Sequence, residues 1–361
     1  MTSKSADSAS CPYNNLPERS FFRSETLKRG DLALSSAAGF HCTTTTKFMS
    51  AGSCFAARVV ETLRSSGLDY LARRDILEAA SDEIVEESPN LFSARYGNVY
   101  TTKHLLQLLE RSTTALTTPA PVAVDSRGRF RNLLRPGVLS YGNEDALRRD
   151  DEAHLRNVRD LLAEADVFVF TLGLTEQWID VESGYTLPSV PGCGHGRFES
   201  GRYSFHNASL SDVTQELFSV FELLGTLNPQ LKVILTLSPV PLVASYEAVS
   251  AVEATFYSKA VLRLAISEAL SRSKKMNVSY FPSYEIVTNP HVIGTYFAKD
   301  MRAVTDAGLE SVMSQFKRRY FASPAEGPAR REVATEQPMD IDPACEEENV
   351  WMAYMGKIAG K

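Results

Sequence analysis

Ser53 and Cys54 stand side by side in Lys47–Val60, KFMSAGSCFAARVV, where a buried-strand pattern gives way to a helical one. Gly52 marks the change of period, and Phe55, Val59, Val60 and Leu63 fall on one side of the helix that follows. At a helix start, backbone N–H groups without intrahelical acceptors and the positive end of the dipole favour negative charge. A hydroxyl in that position is easier to use as a nucleophile, and a thiol there has a depressed pKa. The competing reading is an ordinary N-cap serine followed by a buried cysteine, and spacing alone leaves both open.

The elements that must hold this turn in place are legible as buried strands alternating with amphipathic helices. A first strand is expected over Thr43–Ala51, with a helix after it to about Ser66, stopped by Gly67. ARYGNVYTTKHLLQLLERS reads as a Gly97–Asn98 turn followed by a helix capped by Thr101 or Thr102. Thr113 to about Asn143, rich in Pro, Arg and Gly, reads as an insertion or small β-hairpin. A helix over about Asp145–Glu164 leads into DVFVFTLG (Asp166–Gly173), apolar on both faces and the clearest central strand. Residues 181–207 read as a loop too long for a simple connector. Ser209 caps a helix to about Leu227, LKVILTLSPVPL is a further buried strand, and Ala244 to about Ser271 is helical. Asn277–Val287 reads as a last strand and Thr305–Tyr320 as a last helix.

Such alternation implies a mostly parallel sheet covered on both faces, with ligands bound beyond the carboxyl ends of its strands. Those ends carry Gly52–Ser53–Cys54, Gly173–Leu174–Thr175–Glu176, Ser238–Pro239–Val240 and Ser283–Tyr284–Glu285.

At 361 residues, 43% of them hydrophobic, the chain can bury a full core. Its formal charge of −6, without a basic stripe, argues against nucleic acid as a partner. The apolar runs are strand-sized, so no membrane span is expected, and the polar N-terminus lacks a secretion-type core. The five cysteines are scattered and lack metal-site spacing, which points to a reducing, cytoplasmic compartment and to no metal or other cofactor. Residues 1–25 read as an N-terminal arm, 26–321 as the domain, and 322–361 as an acidic, solvated tail able to engage a protein partner.

Gly52-Ser53-Cys54-Phe55-Ala56 resembles the signature of the GSCFA family, and the resemblance continues through Arg95–Thr101, Phe170–Glu176, Leu237–Leu242 and Tyr280–Glu285. That family is similar to the SGNH (GDSL-type) hydrolases. The resemblance implies a three-layer α/β/α, flavodoxin-like fold with a mostly parallel central sheet. It also implies cleavage or transfer of acyl esters, often acetyl groups on sugars, so that the partner is a small-molecule or glycan acyl substrate. Fold similarity alone does not fix a reaction.

Carried over residue by residue, the glycine of the first block falls on Gly52 and puts Cys54 in the nucleophile slot, whereas matching serine to serine selects Ser53. Gly97, beside Asn98, is the implied oxyanion N–H donor of the second block. The third block, Gly-x-Asn-Asp, falls on Gly173-Leu174-Thr175-Glu176, so Thr175 replaces an asparagine donor. The last block, Asp-x-x-His, falls on Asp300-Met301-Arg302-Ala303: the acid is present, and alanine stands where the general base belongs.

Of the six histidines, His104 and His154 fall in predicted helices and His41 precedes the first strand, all structural by position. His195, His206 and His291 lie on loops expected near the rim and are the candidate bases. Glu176 is the alternative base if burial raises its pKa, or else a structural acid tied to Arg302 or Arg95. Trp178, Tyr284 and Tyr296 are candidate pocket walls, although core packing accounts for such rings equally well. A non-catalytic protein that keeps the cleft for an acylated or carbohydrate ligand is the rival to an enzyme.

Overall fold

The computed structural model describes residues 39–65, 67–72, 84–87, 92–114, 118–273 and 276–321, with Leu16, Ser20, Phe21 and Met352. Those four residues apart, the arm and the acidic tail lie outside the described residues.

Four strands form the central sheet: β1 (Phe48–Ala51), β6 (Val167–Leu172), β10 (Lys232–Leu237) and β11 (Asn277–Phe281), all parallel and adjacent in that order. Asp69–Leu71 lies along the free edge of β1, where Phe48 N donates to Asp69 O at 2.8 Å and Leu71 N to Phe48 O at 2.8 Å. In sequence order the sheet therefore runs 2-1-3-4-5, the flavodoxin-like arrangement, with its topological switch point between β1 and β6. The first strand starts at Phe48, not Thr43, because Thr43–Thr46 closes a turn: Thr46 N donates to Thr43 O at 3.1 Å and Thr43 N to Thr46 Oγ1 at 2.8 Å.

Side-chain parity divides the core into two layers. Met49, Ala51, Phe168, Phe170, Leu172, Val233, Leu235 and Leu237 face one side. There they pack against α2 (Thr102–Thr113), α3 (Glu144–Glu164), α4 (Leu210–Leu227) and α5 (Ala251–Arg272). Phe48, Val167, Val169, Ile234 and Phe281 face the other. They meet Phe55 and Leu63 of α1 (Cys54–Ser65), α6 (Ser283–Thr288), Tyr296 of the short α7 (Ile293–Tyr296) and α8 (Asp306–Tyr320). A strand buried on both faces is apolar at nearly every position, and VFVFTL, with Thr171 as its one polar residue, is the plainest segment of the sequence.

Two small antiparallel sheets are appended. β2 (Ile84–Glu87), β5 (Leu139–Tyr141), β4 (Phe130–Asn132) and β3 (Val122–Val124) form one, built largely from the segment expected as an insertion. β8 (Thr186–Leu187), β7 (Glu176–Asp180) and β9 (Tyr203–Asn207) form the other. Residues 181–207 are thus not a plain loop: β9 pairs along the whole of β7, from Glu176↔Asn207 to Asp180↔Tyr203. Two further boundaries differ from expectation. α5 begins at Ala251, where Ser250 and Glu253 form a capping box, so 244–250 is loop. β11 ends at Phe281, because after Pro282 the chain turns into α6, with Ile286 and Val287 buried by helical spacing. No helix among the described residues is long and apolar enough to cross a membrane.

Candidate active site

Ser53 sits at the carboxyl end of β1, and the first helical bond of α1 runs from Ala57 N to Ser53 O at 3.2 Å. The amides of Cys54, Phe55 and Ala56 precede that ladder and have no intrahelical acceptor. Gly52 lets β1 come this close to β6: a Cβ there would lie 2.7 Å from Ala56 Cβ and 2.8 Å from Thr171 Cβ. The chain after Gly97 closes the next side. Val99 N donates to Gly52 O at 2.8 Å, and Tyr100 O accepts from Gly173 N at 3.0 Å and Leu174 N at 3.3 Å. Ser238 N, at the end of β10, donates to Leu172 O at 2.9 Å.

These contacts enclose a recess of about 220 Å³, its open mouth included, lined by Ser53, Tyr100, Gly173, Leu174, Ser238, Val240 and Leu242. It occupies the switch point of the sheet, where open α/β folds bind ligands. Ser53 is 4% exposed, and its Oγ has no hydrogen-bond partner among the described residues. An N-capping serine would accept a bond from the first turn of its helix. Ser53 does not, so the plain N-cap reading fails here. The side chain of Cys54 lies outside the described residues.

The other residues singled out in the sequence are placed as follows. Thr175 is buried, and its hydroxyl is directed away into a bond to Asn207 Oδ1 at 2.6 Å, with Ser258 Oγ at 3.1 Å. Glu176 holds the loop after β10, accepting from Ser245 Oγ at 2.6 Å and Tyr246 N at 3.1 Å, and not from Arg95 or Arg302. Arg95 pairs with Asp150 at 3.1 Å, and Arg302 reaches Pro241 O at 3.5 Å, just beyond Val240 of the recess. Asp300 is exposed and accepts from Arg302 N and Ala303 N, both at 3.0 Å, closing the turn in which Met301 has φ 57°. Asn98 is buried next to Gly97, whose φ of 67° fits glycine. Trp178 faces Phe205 across β7 and β9, and Tyr284 and Tyr296 pack against the two core layers.

None of the six histidines lines the recess. His41 and His291 are exposed. His206 projects from β9 on the face opposite Trp178 and Phe205, 3.6 Å from Asp212. His195 is buried, 3.4 Å from Ser189 Oγ, and burial together with Arg131 holds its pKa down at about 4. His104 and His154 line a separate inner cavity with Tyr96, Arg111, Asn132, Arg135 and Asp151. Burial lowers His104 to about 4 despite a backbone bond to Leu134; burial and three arginines hold His154 well below the ordinary imidazole value.

Lys259 is a participant that sequence reasoning missed. It is 3% exposed, and its Nζ donates to Gly173 O at 2.7 Å, while the neighbouring Ser258 Oγ accepts from Thr175 N at 2.8 Å. α5 thereby clamps the turn that forms one wall of the recess. The signal was present in the spacing, since Lys259 stands three and seven residues before Leu262 and Ile266, on the apolar face.

A comparison with curated proteins finds no match. Among solved structures, a carbohydrate esterase family 3 protein from Talaromyces cellulolyticus aligns at 12% identity over 76% of this chain and 95% of its own, with a TM-score of 0.33. An acetyl esterase mutant with acetate ion aligns at 11% identity over 76% and 95%, TM-score 0.32. An acetyl-xylooligosaccharide esterase from Geobacillus Stearmophilus aligns at 14% identity over 80% and 99%, TM-score 0.30. Likenesses this distant say nothing of activity. The sequence itself matches the GSCFA family over residues 47–316, a span that contains every wall of the recess, and the chain belongs to that family.

Proposed function

We propose that the chain is an SGNH-like esterase or acyltransferase that acts on an O-acyl substrate with Ser53 as nucleophile. The observation that carries this reading is the Ser53 hydroxyl, buried without a partner among the described residues at the switch point of a parallel sheet. Leaving a buried polar group unpaired costs roughly 1–3 kcal/mol. A fold that only needed to cap α1 would have closed that bond.

In this reading Ser53 Oγ attacks the acyl carbon and the alcohol departs. The acyl group then passes from Ser53 to water or to a second alcohol. The carbonyl oxygen, as it becomes negative, is stabilised in this reading by the amides opening α1, and removing such a donor typically slows a reaction by about 10²–10³-fold. Because no imidazole lines the recess, the Ser53 proton passes to solvent base. The rate should therefore keep rising with pH instead of levelling above about 6.5, where a histidine base would be fully deprotonated.

The test is release of p-nitrophenol from acetyl and butyryl esters, and of thiol from an acetyl thioester, by native chain and Ser53→Ala. Turnover that disappears in the variant supports the reading. Absence of both turnover and burst in the native chain contradicts it.

The same lack of an imidazole favours a second reading, a binding protein that keeps the cleft for an acylated ligand. Thermal stabilisation by an ester recovered unchanged separates it from the first.

A further inference from the structure

We infer that the β8-β7-β9 sheet beside the recess is a platform for the sugar rings of a glycan chain. This assignment deepens the esterase reading by naming the alcohol half of its substrate. Trp178 and Phe205 form a cross-strand pair with ring centroids 5.6 Å apart. Tyr246 lies 4.7 Å from Trp178 and 5.2 Å from Phe205, and Phe198 lies 6.0 Å from Trp178. Burial explains only the inner part of the cluster: Trp178 packs against the buried Leu187 and Tyr203, whereas Tyr246 is 68% and Phe198 47% exposed. Single exposed rings are ordinary, whereas contiguous ones mark binding surfaces.

The exposed Tyr246 is held deliberately. Glu176 accepts from Tyr246 N and Ser245 Oγ, and Asn207 Nδ2 donates to Glu247 Oε1 at 3.1 Å. Glu176 and Asn207 oppose each other on the same sheet face as Trp178 and Phe205, so the strands that carry the rings also fix the loop above them. This is a further role for Glu176 and Trp178, as positioning residue and platform.

The platform and the recess are built on the same two chain segments. Trp178 follows recess-lining Leu174 by four residues, and Tyr246 follows recess-lining Leu242 by four. At about 3.3 Å per extended residue, the rings lie within roughly 13 Å of the recess wall along either segment. Ring geometry selects the ligand class. Trp178 is inclined at 67°, 63° and 84° to Tyr246, Phe205 and Phe198. No parallel slot exists for a fused aromatic system, and each ring offers its own face. A chain of small rings with apolar C–H faces and hydroxyl edges matches that surface, with Asn207 and Glu247 as polar neighbours.

The chain contains two tryptophans, Trp178 and Trp351, so the full-length Trp351→Phe protein reports from Trp178 alone. Its emission is titrated with xylohexaose, cellohexaose, chitohexaose and maltohexaose, and separately with octanoate. The expected result is a saturable shift with at least one hexasaccharide, weakened roughly three- to tenfold by Tyr246→Ala. No shift with any of them, or a shift with octanoate alone, overturns the platform. If none binds while simple esters are still cleaved, the platform fails and the esterase reading stands. If a hexasaccharide binds while no ester is cleaved, the reverse holds.

Discussion

Two cavities among the described residues, the recess and an inner one, treat polar groups differently. In the inner one, under the β2-β5-β4-β3 sheet, charge answers charge: Arg135 meets Asp150 at 2.5 Å, Arg111 meets Asp151 at 2.5 Å, and Tyr141 Oη and Asn132 Nδ2 complete the two carboxylates. Burial pushes the Asp150 carboxyl up, but Arg135, Tyr141 and Arg95 outweigh it and hold its pKa below the usual carboxylate value. In the recess a hydroxyl is buried with no such answer. The contrast teaches that perturbed histidines and dense ion pairs do not by themselves mark chemistry. They can equally be the means by which a small sheet is fastened to helices.

The largest expected effect separates the two regions outright. Ser53→Ala should lower ester turnover by about 10³-fold or more while leaving the urea midpoint unchanged or slightly higher. Asp150→Ala should do the opposite. It strands Arg135 and Arg95 in the interior, and the expected loss is about 3–5 kcal/mol of stability in urea unfolding.

Acid should destabilise the fold through its buried histidines. His104 and His195 have pKa values held near 4, against 6.5 when free, so between those values the unfolded chain binds more protons than the native one. Stability is therefore complete above about pH 6.5 and falls as pH drops towards 4, by on the order of 3 kcal/mol for each histidine. Urea titrations at stepped pH, with His104→Phe and His195→Phe, check the slope; a native chain equally stable at pH 7 and pH 4.5 contradicts it.

Much of the recess was readable from sequence. The change of period at Gly52 and the uninterrupted apolar run Val167–Leu172 together place Ser53 at the mouth of a parallel sheet. What escaped was pairing. Tyr203-Ser204-Phe205-His206-Asn207 alternates as a strand should, but Gly, Pro and Ser on either side disguise it as loop. Once β9 is paired with β7, a period of two sends His206 to the face away from Trp178, although sequence adjacency to Glu176 had suggested a shared rim. The six-residue α6 was hidden for another reason, since a short apolar stretch such as Ser283–Thr288 has no period long enough to tell helix from strand. Lys259 went unnoticed because its partner, the Gly173 carbonyl, is a backbone group 86 residues away.

Smaller effects sharpen the boundary between the two regions. Lys259→Met removes a charged donor from the Gly173 carbonyl and should cost about 1.5–3 kcal/mol of stability. His291→Ala, at an exposed position, should change stability by no more than about 0.5 kcal/mol and should leave ester turnover within twofold or so of native, as expected of a side chain that does not line the recess.

The most direct measurement is covalent. The native chain is mixed with p-nitrophenyl acetate, quenched in acid during the first turnovers, digested and mapped by mass spectrometry. An acetyl group on Ser53, absent from Ser53→Ala, is the predicted result. Acetylation confined to residues outside the recess, or to Cys54 alone, contradicts the assignment of Ser53 as the attacking group.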